Sequence, residues 1–189
     1  AIRKQAGSLS HYPDGTLVCV ENTSNRGGGA CYPQTTLDEI AAVAKANNCA
    51  VHMDGARIFN ASVATNTSLE RMVREYDSIS ICLSKGLGAP IGSVLVGSRT
   101  FIAQAHRWRK MFGGGMRQAG MLAAAGLHAL DHHVERMVED HSRATQLASS
   151  INAINGFTVD LSTVETNMVY FTSEIPATKV MDALATSGI

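Results

Sequence analysis

Short apolar runs alternate along the chain with longer segments whose apolar residues have helical spacing. The short runs predict strands buried on both faces, because such strands are apolar throughout. They cover residues 16–21, 50–53, 79–83 and 92–97. Between the first two, apolar residues recur on one helical face from Leu37 to Ala44, and Thr36 and Glu39 have capping-box spacing. A strand–helix–strand unit with two apolar strands predicts parallel pairing.

The second half of the chain is mainly helical in pattern. Helical stretches cover residues 69–73, 100–112, 116–130, 134–153 and 179–185, and strand-like patterns follow at 157–159 and 168–171. We therefore expect a large domain and, after a long connecting helix, the start of a smaller one. The chain begins without Met and stops one residue after Gly188, a glycine typical of a helix end, so we expect an internal piece of a longer protein.

Composition and charge narrow the range of partners. Hydrophobic residues make up 45% of the 189 residues and charged residues 17%, which suits a globular protein with a sizeable core. Lysine plus arginine and aspartate plus glutamate both number 16, so no net basic field attracts nucleic acid. The sequence has neither a polybasic run nor an apolar span of roughly 18 residues. We expect no nucleic-acid partner and no membrane partner.

The cysteines favour a reducing compartment. The chain has four cysteines, with no CxxC pair and no spacing typical of zinc. A cytoplasmic location is therefore the simpler interpretation. Cys19 and Cys82 lie within apolar runs, and we expect both to be small buried hydrophobes.

Two ionisable side chains mark the carboxyl ends of predicted strands. Asp54 follows the second strand and Lys85 the third, and ligands of open α/β sheets bind just outside such ends. An amine and a carboxylate at that edge suit pyridoxal 5'-phosphate, because the amine forms the Schiff base and the carboxylate keeps the pyridine nitrogen protonated. Small neighbours would admit a planar ring and a tight backbone turn: Gly55, Ala56, Gly86 and Gly88.

Ordinary structural roles stay open for these groups. Asp54 is also typical of a helix cap or an Asx turn, and Lys85 of a solvated loop lysine. Arg57 is also typical of a surface ion pair. His132 and His133 are adjacent, so their side chains point about 100° apart on a helix and no shared metal ion is expected.

Four stretches of the sequence are distinctive. They are VHMDGARIFNA at 51–61, SKGLGAPIGS at 84–93, RWRKMFGGGMRQ at 107–118 and TNMV at 166–169. In these stretches the chain resembles the L-threonine aldolases of the β-eliminating lyase group, and the resemblance is collinear from about residue 11 to the end. The aspartate and lysine stretches are the specific ones.

The resemblance implies an α/β, fold-type I, aspartate-aminotransferase-like architecture with a mainly parallel sheet. Residues 1–133 would form part of the large domain that binds pyridoxal 5'-phosphate. Residues 134–189 would form the connecting helix and the start of a small α+β C-terminal domain. The implied activity is retro-aldol cleavage of L-threonine or L-allo-threonine to glycine and acetaldehyde.

The resemblance also implies roles for single residues around the cofactor. Lys85 would be the Schiff-base lysine, and Asp54 the partner of the pyridine nitrogen. Ala56 would pack under the ring. Arg57 would bind the substrate carboxylate or a cofactor oxygen, for which a guanidinium fork is suited.

Further roles rest on the resemblance alone. His11 falls where the family places a histidine near the β-hydroxyl of the substrate, and an ordinary loop residue is the alternative. Lys110 and Arg117 match basic residues near the cofactor or a subunit interface, and helix-surface charge is the alternative. The chain has Ser24 where many members carry a histidine, which puts a binding role of that loop in doubt.

The resemblance suggests a homodimer or homotetramer. Large apolar groups stand beside arginine and lysine, a composition typical of interfaces: Trp108, Met111, Phe112 and Met116. Two alternatives to the aldolase remain at this level. One is another fold-type I lyase or aminotransferase, and the other is a non-catalytic fragment that serves as an assembly surface.

Overall fold

The structure is a computed structural model that describes residues 14–189, which form six strands and seven α-helices. The strands are β1 (Leu17–Glu21), β2 (Ala50–Asp54), β3 (Ser78–Cys82), β4 (Ser93–Gly97), β5 (Phe157–Thr158) and β6 (Thr172–Ser173). The helices are α1 (Gln34–Ala46), α2 (Ile58–Thr65), α3 (Leu69–Val73), α4 (Arg99–Met111), α5 (Gly120–His132), α6 (Met137–Asn152) and α7 (Ala177–Thr186). A short 3₁₀ helix covers Leu161–Thr163.

The main sheet is mostly parallel. Its order is β1-β2-β3-β4, in which β1, β2 and β3 run parallel and β4 runs antiparallel to β3. Asp54 lies opposite Glu21 on one side and Ser80 on the other. The carboxyl ends of the three parallel strands therefore share one edge of the sheet, which we call the carboxyl edge.

One face of the sheet is packed and the other is polar. Val51 and Met53 are fully buried among the apolar residues of α1 and α2. Because strand side chains alternate between faces, His52 and Asp54 point to the opposite side. There His52 Nδ1 lies 2.8 Å from Ser78 Oγ on the neighbouring strand. The face that carries Asp54 is therefore the polar one.

The prediction that the strands are buried on both faces is wrong. Leu17 is 53% exposed, Cys19 is exposed and Cys82 is half-buried, so the expectation for both cysteines is wrong. The reason is that the helices packed on β1 and β2 in the described part of the chain lie on the side of Val20. Cys49, at the start of β2, is the buried thiol.

Some helix and strand boundaries also differ from the pattern. α1 begins at Gln34, directly after Pro33, and no side chain caps it, so the predicted capping box is wrong. The Leu37 N–H bonds the Pro33 carbonyl, which starts the helix early. α2 was not predicted, and α5 begins at Gly120 rather than residue 116. Residues 168–171 do not form the predicted strand; the strand β6 begins after them, at Thr172.

After α6 the chain forms a separate two-stranded sheet. β5 and β6 pair antiparallel, and the Val159 N–H bonds Asn152 Oδ1 at 2.9 Å. Ala144 and Ala148 are buried on α6, and Val159 is buried beyond β5. Within residues 14–189, no helix has both the length and the apolar character needed to cross a membrane.

We expect Leu37→Ala in α1 to lower the free energy of unfolding by about 2–5 kcal/mol, because it leaves a cavity under the sheet. Leu37 is fully buried, whereas Val43 on the same helix is 57% exposed. Urea unfolding of the complete protein measures both variants. Val43→Ala is the control and should stay within about 0.5 kcal/mol; equal effects of the two would contradict this packing.

Candidate active site

Asp54 ends β2 and closes a tight turn at the carboxyl edge. Its Oδ1 accepts the Ala56 N–H at 3.0 Å, which is the Asx turn that the sequence left open as an alternative. Within residues 14–189, Oδ2 of the same carboxylate has no hydrogen-bond partner. One carboxylate oxygen therefore shapes the backbone, and the other can serve a ligand.

The absence of a side chain at Gly55 allows the packed face of the sheet to form at this position. A Cβ at Gly55 would lie 3.1 Å from Ile58 Cβ and 3.2 Å from Ile79 Cγ2, so a side chain would collide with the packed face. Its N–H bonds the Ser80 carbonyl at 2.9 Å, which joins β2 to β3. Gly55 therefore has a packing role, and its role in leaving space for a ring stays a prediction. Ala56, which is 9% exposed, is the small residue next to Asp54 that remains for that role.

Lys85 stands in a tight loop at the same edge. Residues 84–90, here named the lysine loop, follow β3, the strand paired with β2. The Gly88 N–H bonds the Lys85 carbonyl at 2.9 Å, and Gly88 has a φ of +72°, a conformation that favours glycine. The side chain of Lys85 is exposed. Adjacent parallel strands thus bring the carboxylate and the lysine loop to one edge.

A cavity of about 410 Å³ opens beside this edge. Ser80, the neighbour of Asp54 across the strands, is part of its wall. Its lining comes from β3, β4 and α4: Ser80, Ser93, Val94, Leu95, Ile102, Ala105, His106 and Arg109. The volume falls in the range of small-ligand sites. Sequence reasoning missed His106 and Arg109, although their spacing of three residues places both on one helical face.

None of the described residues predicted for the site lines this cavity, which touches Asp54 only through its neighbour Ser80. Lys110 and Arg117 are exposed and do not line it. The Lys110 side chain lies over Gly115, where an added Cβ would be 2.8 Å from Lys110 Cδ. Within residues 14–189, Arg57, Lys85, Lys110 and Arg117 take part in no ion pair. His11 lies outside the described residues.

The loop after β1 is held by the C-terminal part of the chain. Glu165 Oε2 accepts the Cys31 N–H at 2.9 Å, and Thr166 Oγ1 donates to the Gly29 carbonyl at 2.9 Å. An added Cβ at Gly29 would lie 2.6 Å from Thr166 Oγ1, so only glycine fits. Ser24 Oγ accepts the Gly27 N–H at 3.1 Å and is thereby used to close a turn. Residues 165–170 therefore pack on this loop.

No group of three or more His, Cys, Asp or Glu in the described range is arranged to hold a metal ion. The rings of His128 and His132 are 4.5 Å apart, and those of His128 and His133 are 5.3 Å apart. His133 Nδ1 lies 2.6 Å from the Leu87 carbonyl, so this histidine contacts the lysine loop.

A family model described as beta-eliminating lyase matches residues 1–174. The chain belongs to the beta-eliminating lyase family. It is 42% identical to low-specificity L-threonine aldolase 1 of Arabidopsis thaliana, over 100% of this chain and 54% of the relative. It is 46% identical to the low specificity L-threonine aldolase of Escherichia coli K12, over 85% of this chain and 46% of the relative. The chain thus spans about half the length of these relatives.

The fold of this family member agrees with solved structures. The threonine aldolase of Leishmania major superimposes with a TM-score of 0.75 at 18% identity, over 94% of this chain and 52% of that one. At this identity the likeness concerns the fold alone. The α/β, fold-type I architecture with a mainly parallel sheet is confirmed.

We expect Cys31 to alkylate more slowly than the exposed Cys19 at about pH 8, because only the thiolate reacts. Burial, then the charge and hydrogen bond of Glu165, raise the pKa of Cys31 to about 12. Glu165→Gln should lower that pKa and speed the reaction. Peptide mass spectrometry after iodoacetamide measures the rates.

Glu174→Gln is the matched control, because Glu174 lies near Gly156 and away from Cys31. It should leave the rate at Cys31 unchanged. If Cys31 reacts as fast as Cys19, or Glu165→Gln has no effect, residues 165–170 do not pack on the loop after β1 in solution.

Proposed function

We propose that the protein containing this chain is a pyridoxal 5'-phosphate-dependent lyase. It cleaves β-hydroxy-α-amino acids, L-threonine or L-allo-threonine, to glycine and an aldehyde. One observation carries the proposal: Asp54 and the lysine loop stand at the carboxyl ends of adjacent parallel strands, and Ser80, which pairs with Asp54, lines a cavity of about 410 Å³. The Arabidopsis and Escherichia coli relatives are named as low-specificity L-threonine aldolases, which supports the reaction class.

The residues present fit this cofactor. Asp54 offers a carboxylate oxygen that the Asx turn does not use, and Lys85 offers an exposed amine. Ala56 and Arg57 lie two and three residues after Asp54, and Arg57 is the residue before the first turn of α2. Lys85, Asp54, Ala56 and Arg57 would hold the cofactor. When bound, pyridoxal phosphate supplies an electron-withdrawing ring that accepts the electrons of a broken bond at the substrate Cα.

The side chains have separate tasks in this proposal. The Lys85 amine would hold the cofactor covalently. The carboxylate of Asp54 would favour a protonated pyridine nitrogen by its opposite charge. Arg57 orients the substrate carboxylate through its guanidinium fork, which selects the Cα–Cβ bond for cleavage. His11 takes the β-hydroxyl proton.

We further propose a homodimer or homotetramer in which Lys110 and Arg117 serve the cofactor or the interface. Large apolar side chains cluster on and after α4: Trp108 is 54% exposed, Met111 60%, Phe112 81% and Met116 67%. The rings of Trp108 and Phe112 stack with centroids 5.7 Å apart. Exposed aromatic and methionine side chains beside arginines are typical of protein interfaces.

The division of the chain and its location are also proposed. Residues 1–133 belong to the cofactor-binding domain, and residues 134–189 are the connecting helix and the start of the small domain. The separate β5–β6 sheet after α6 supports this division. Four free thiols fit a reducing compartment, and we propose the cytoplasm.

We expect the complete protein, loaded with pyridoxal phosphate, to absorb near the visible edge and to lose this band with borohydride. It should release acetaldehyde from threonine without a keto acid. Lys85→Ala and Lys85→Arg should both lack the band, since neither side chain can attach the cofactor. Absorbance spectra and an acetaldehyde assay measure the two properties.

Lys179→Ala in α7 is the control and should keep both properties. Asp54→Asn tests the carboxylate separately, because this variant retains the Oδ1 that accepts the Ala56 N–H and removes only the charge. It should keep the fold and the band and slow the cleavage. A normal band in Lys85→Ala, or a requirement for a keto acid, would contradict the proposed function.

We expect Arg117→Ala to weaken cofactor affinity by about tenfold or more, the scale of a lost charge-assisted hydrogen bond. The guanidinium is proposed to bind the cofactor phosphate of a neighbouring subunit. Fluorescence titration with pyridoxal phosphate measures the affinity, and circular dichroism checks the fold. Arg99→Ala at the start of α4 is the control. Unchanged affinity, or an active monomer by light scattering, would refute the role.

A further inference from the structure

The lysine loop is held by side chains that the proposed reaction does not use. Its own backbone supplies two hydrogen bonds, from the Gly88 N–H to the Lys85 carbonyl and from the Ala89 N–H to the Leu83 carbonyl. The pairing of β3 with β4, including the bond from the Leu83 N–H to the Gly92 carbonyl, fixes the two ends of the loop. Contacts from α2 and from the end of α5 fix its middle.

His133 holds the middle of the loop. Its Nδ1 lies 2.6 Å from the Leu87 carbonyl, which can only accept, so Nδ1 carries the hydrogen. Leu87 is 2% exposed, and a Cβ at Gly88 would lie 3.5 Å from the same nitrogen. A buried carbonyl thus depends on one histidine at the end of α5.

Asn60 packs closely against Gly86, the residue next to Lys85. It is 1% exposed on α2, and a Cβ at Gly86 would lie 3.0 Å from its Oδ1. The amide Nδ2 lies 3.1 Å from His141 Nε2 on α6. Since Nδ2 can only donate, Nε2 must accept, which requires a neutral imidazole. Burial lowers the pKa of His141, against an opposing effect of Asp140, and so favours that neutral form.

We propose that His133 and the Asn60–His141 pair are positioning residues that fix the backbone around Lys85 and thereby aim its amine. The inference rests on the proposed function, since it assigns them a purpose only if Lys85 carries the cofactor. Both histidines lie in residues 133–141, from the end of α5 into α6. This segment therefore contacts the lysine loop at Leu87 directly, and fixes the Asn60 side chain that packs on Gly86.

The geometry of the two histidines allows opposite conservative replacements. An asparagine amide nitrogen reaches the position of Nδ1, whereas a glutamine amide oxygen reaches the position of Nε2. His133→Asn should therefore retain function and His133→Gln should lose it. At His141 we expect the opposite result: His141→Gln should retain function and His141→Asn should impair it. A purely space-filling role predicts no such reversal.

The experiment compares these four variants in the complete holoenzyme. In the impaired variants, kcat for threonine should fall about tenfold or more with little change in KM, the scale of a misplaced catalytic group. The pH midpoint of the absorbance band of lysine-bound pyridoxal phosphate should also shift. His132→Leu is the control, because His132 is exposed and its described contact is with the His128 ring.

The outcomes separate this inference from the proposed function. Absence of the band and of threonine cleavage in the unmodified protein would reject the proposed function. A normal unmodified enzyme whose Asn and Gln variants behave alike at each histidine would reject the positioning role alone.

A further measurement does not depend on variants that fold. In the unmodified holoenzyme, the Gly88 and Ala89 amides should exchange their hydrogens slowly. Rapid exchange there would show a loop that is not held and would overturn the proposal.

Discussion

The parallel pairing of β2 with β3 is the constraint on which the candidate site depends. It sets Asp54 opposite Ser80, and the Gly55 N–H closes the pair at the Ser80 carbonyl. A shift of the register by one residue would turn Asp54 toward the packed face and Met53 toward the polar one. The apolar core beneath Val51 and Met53 therefore determines where the carboxylate points.

Buried polar side chains hold the loops at the carboxyl edge. Asn22 Oδ1 accepts the Tyr32 N–H of the loop after β1, and Asn60 and His133 contact the lysine loop. Each of these side chains bonds or packs against backbone in a loop, where no neighbouring strand provides hydrogen-bond partners. Because a buried amide or imidazole costs free energy when its partner is lost, such contacts confine the loops to one arrangement.

The C-terminal unit, α6 and the residues after it, is connected to the site by packing as well as by the chain. Residues 165–170 contact the loop after β1, and α6 reaches Asn60 through His141. Movement of the C-terminal unit would therefore displace contacts at two of the loops around the carboxyl edge. The sequence pattern suggested only a second domain, since it shows where elements begin and not which surfaces touch.

The apolar pattern by itself predicted the strands of the main sheet, their mainly parallel pairing and the positions of Asp54 and Lys85 at the carboxyl edge. It could do so because strand length and periodicity are determined by residues that are close in the sequence. It failed where burial depends on distant elements, as at Cys19 and Cys82. Only the tertiary structure decided that Arg109 rather than Lys110 lines the cavity, that His133 reaches the lysine loop and that His141 reaches Asn60. The two histidine contacts join residues 46 and 81 positions apart, and no local pattern encodes them.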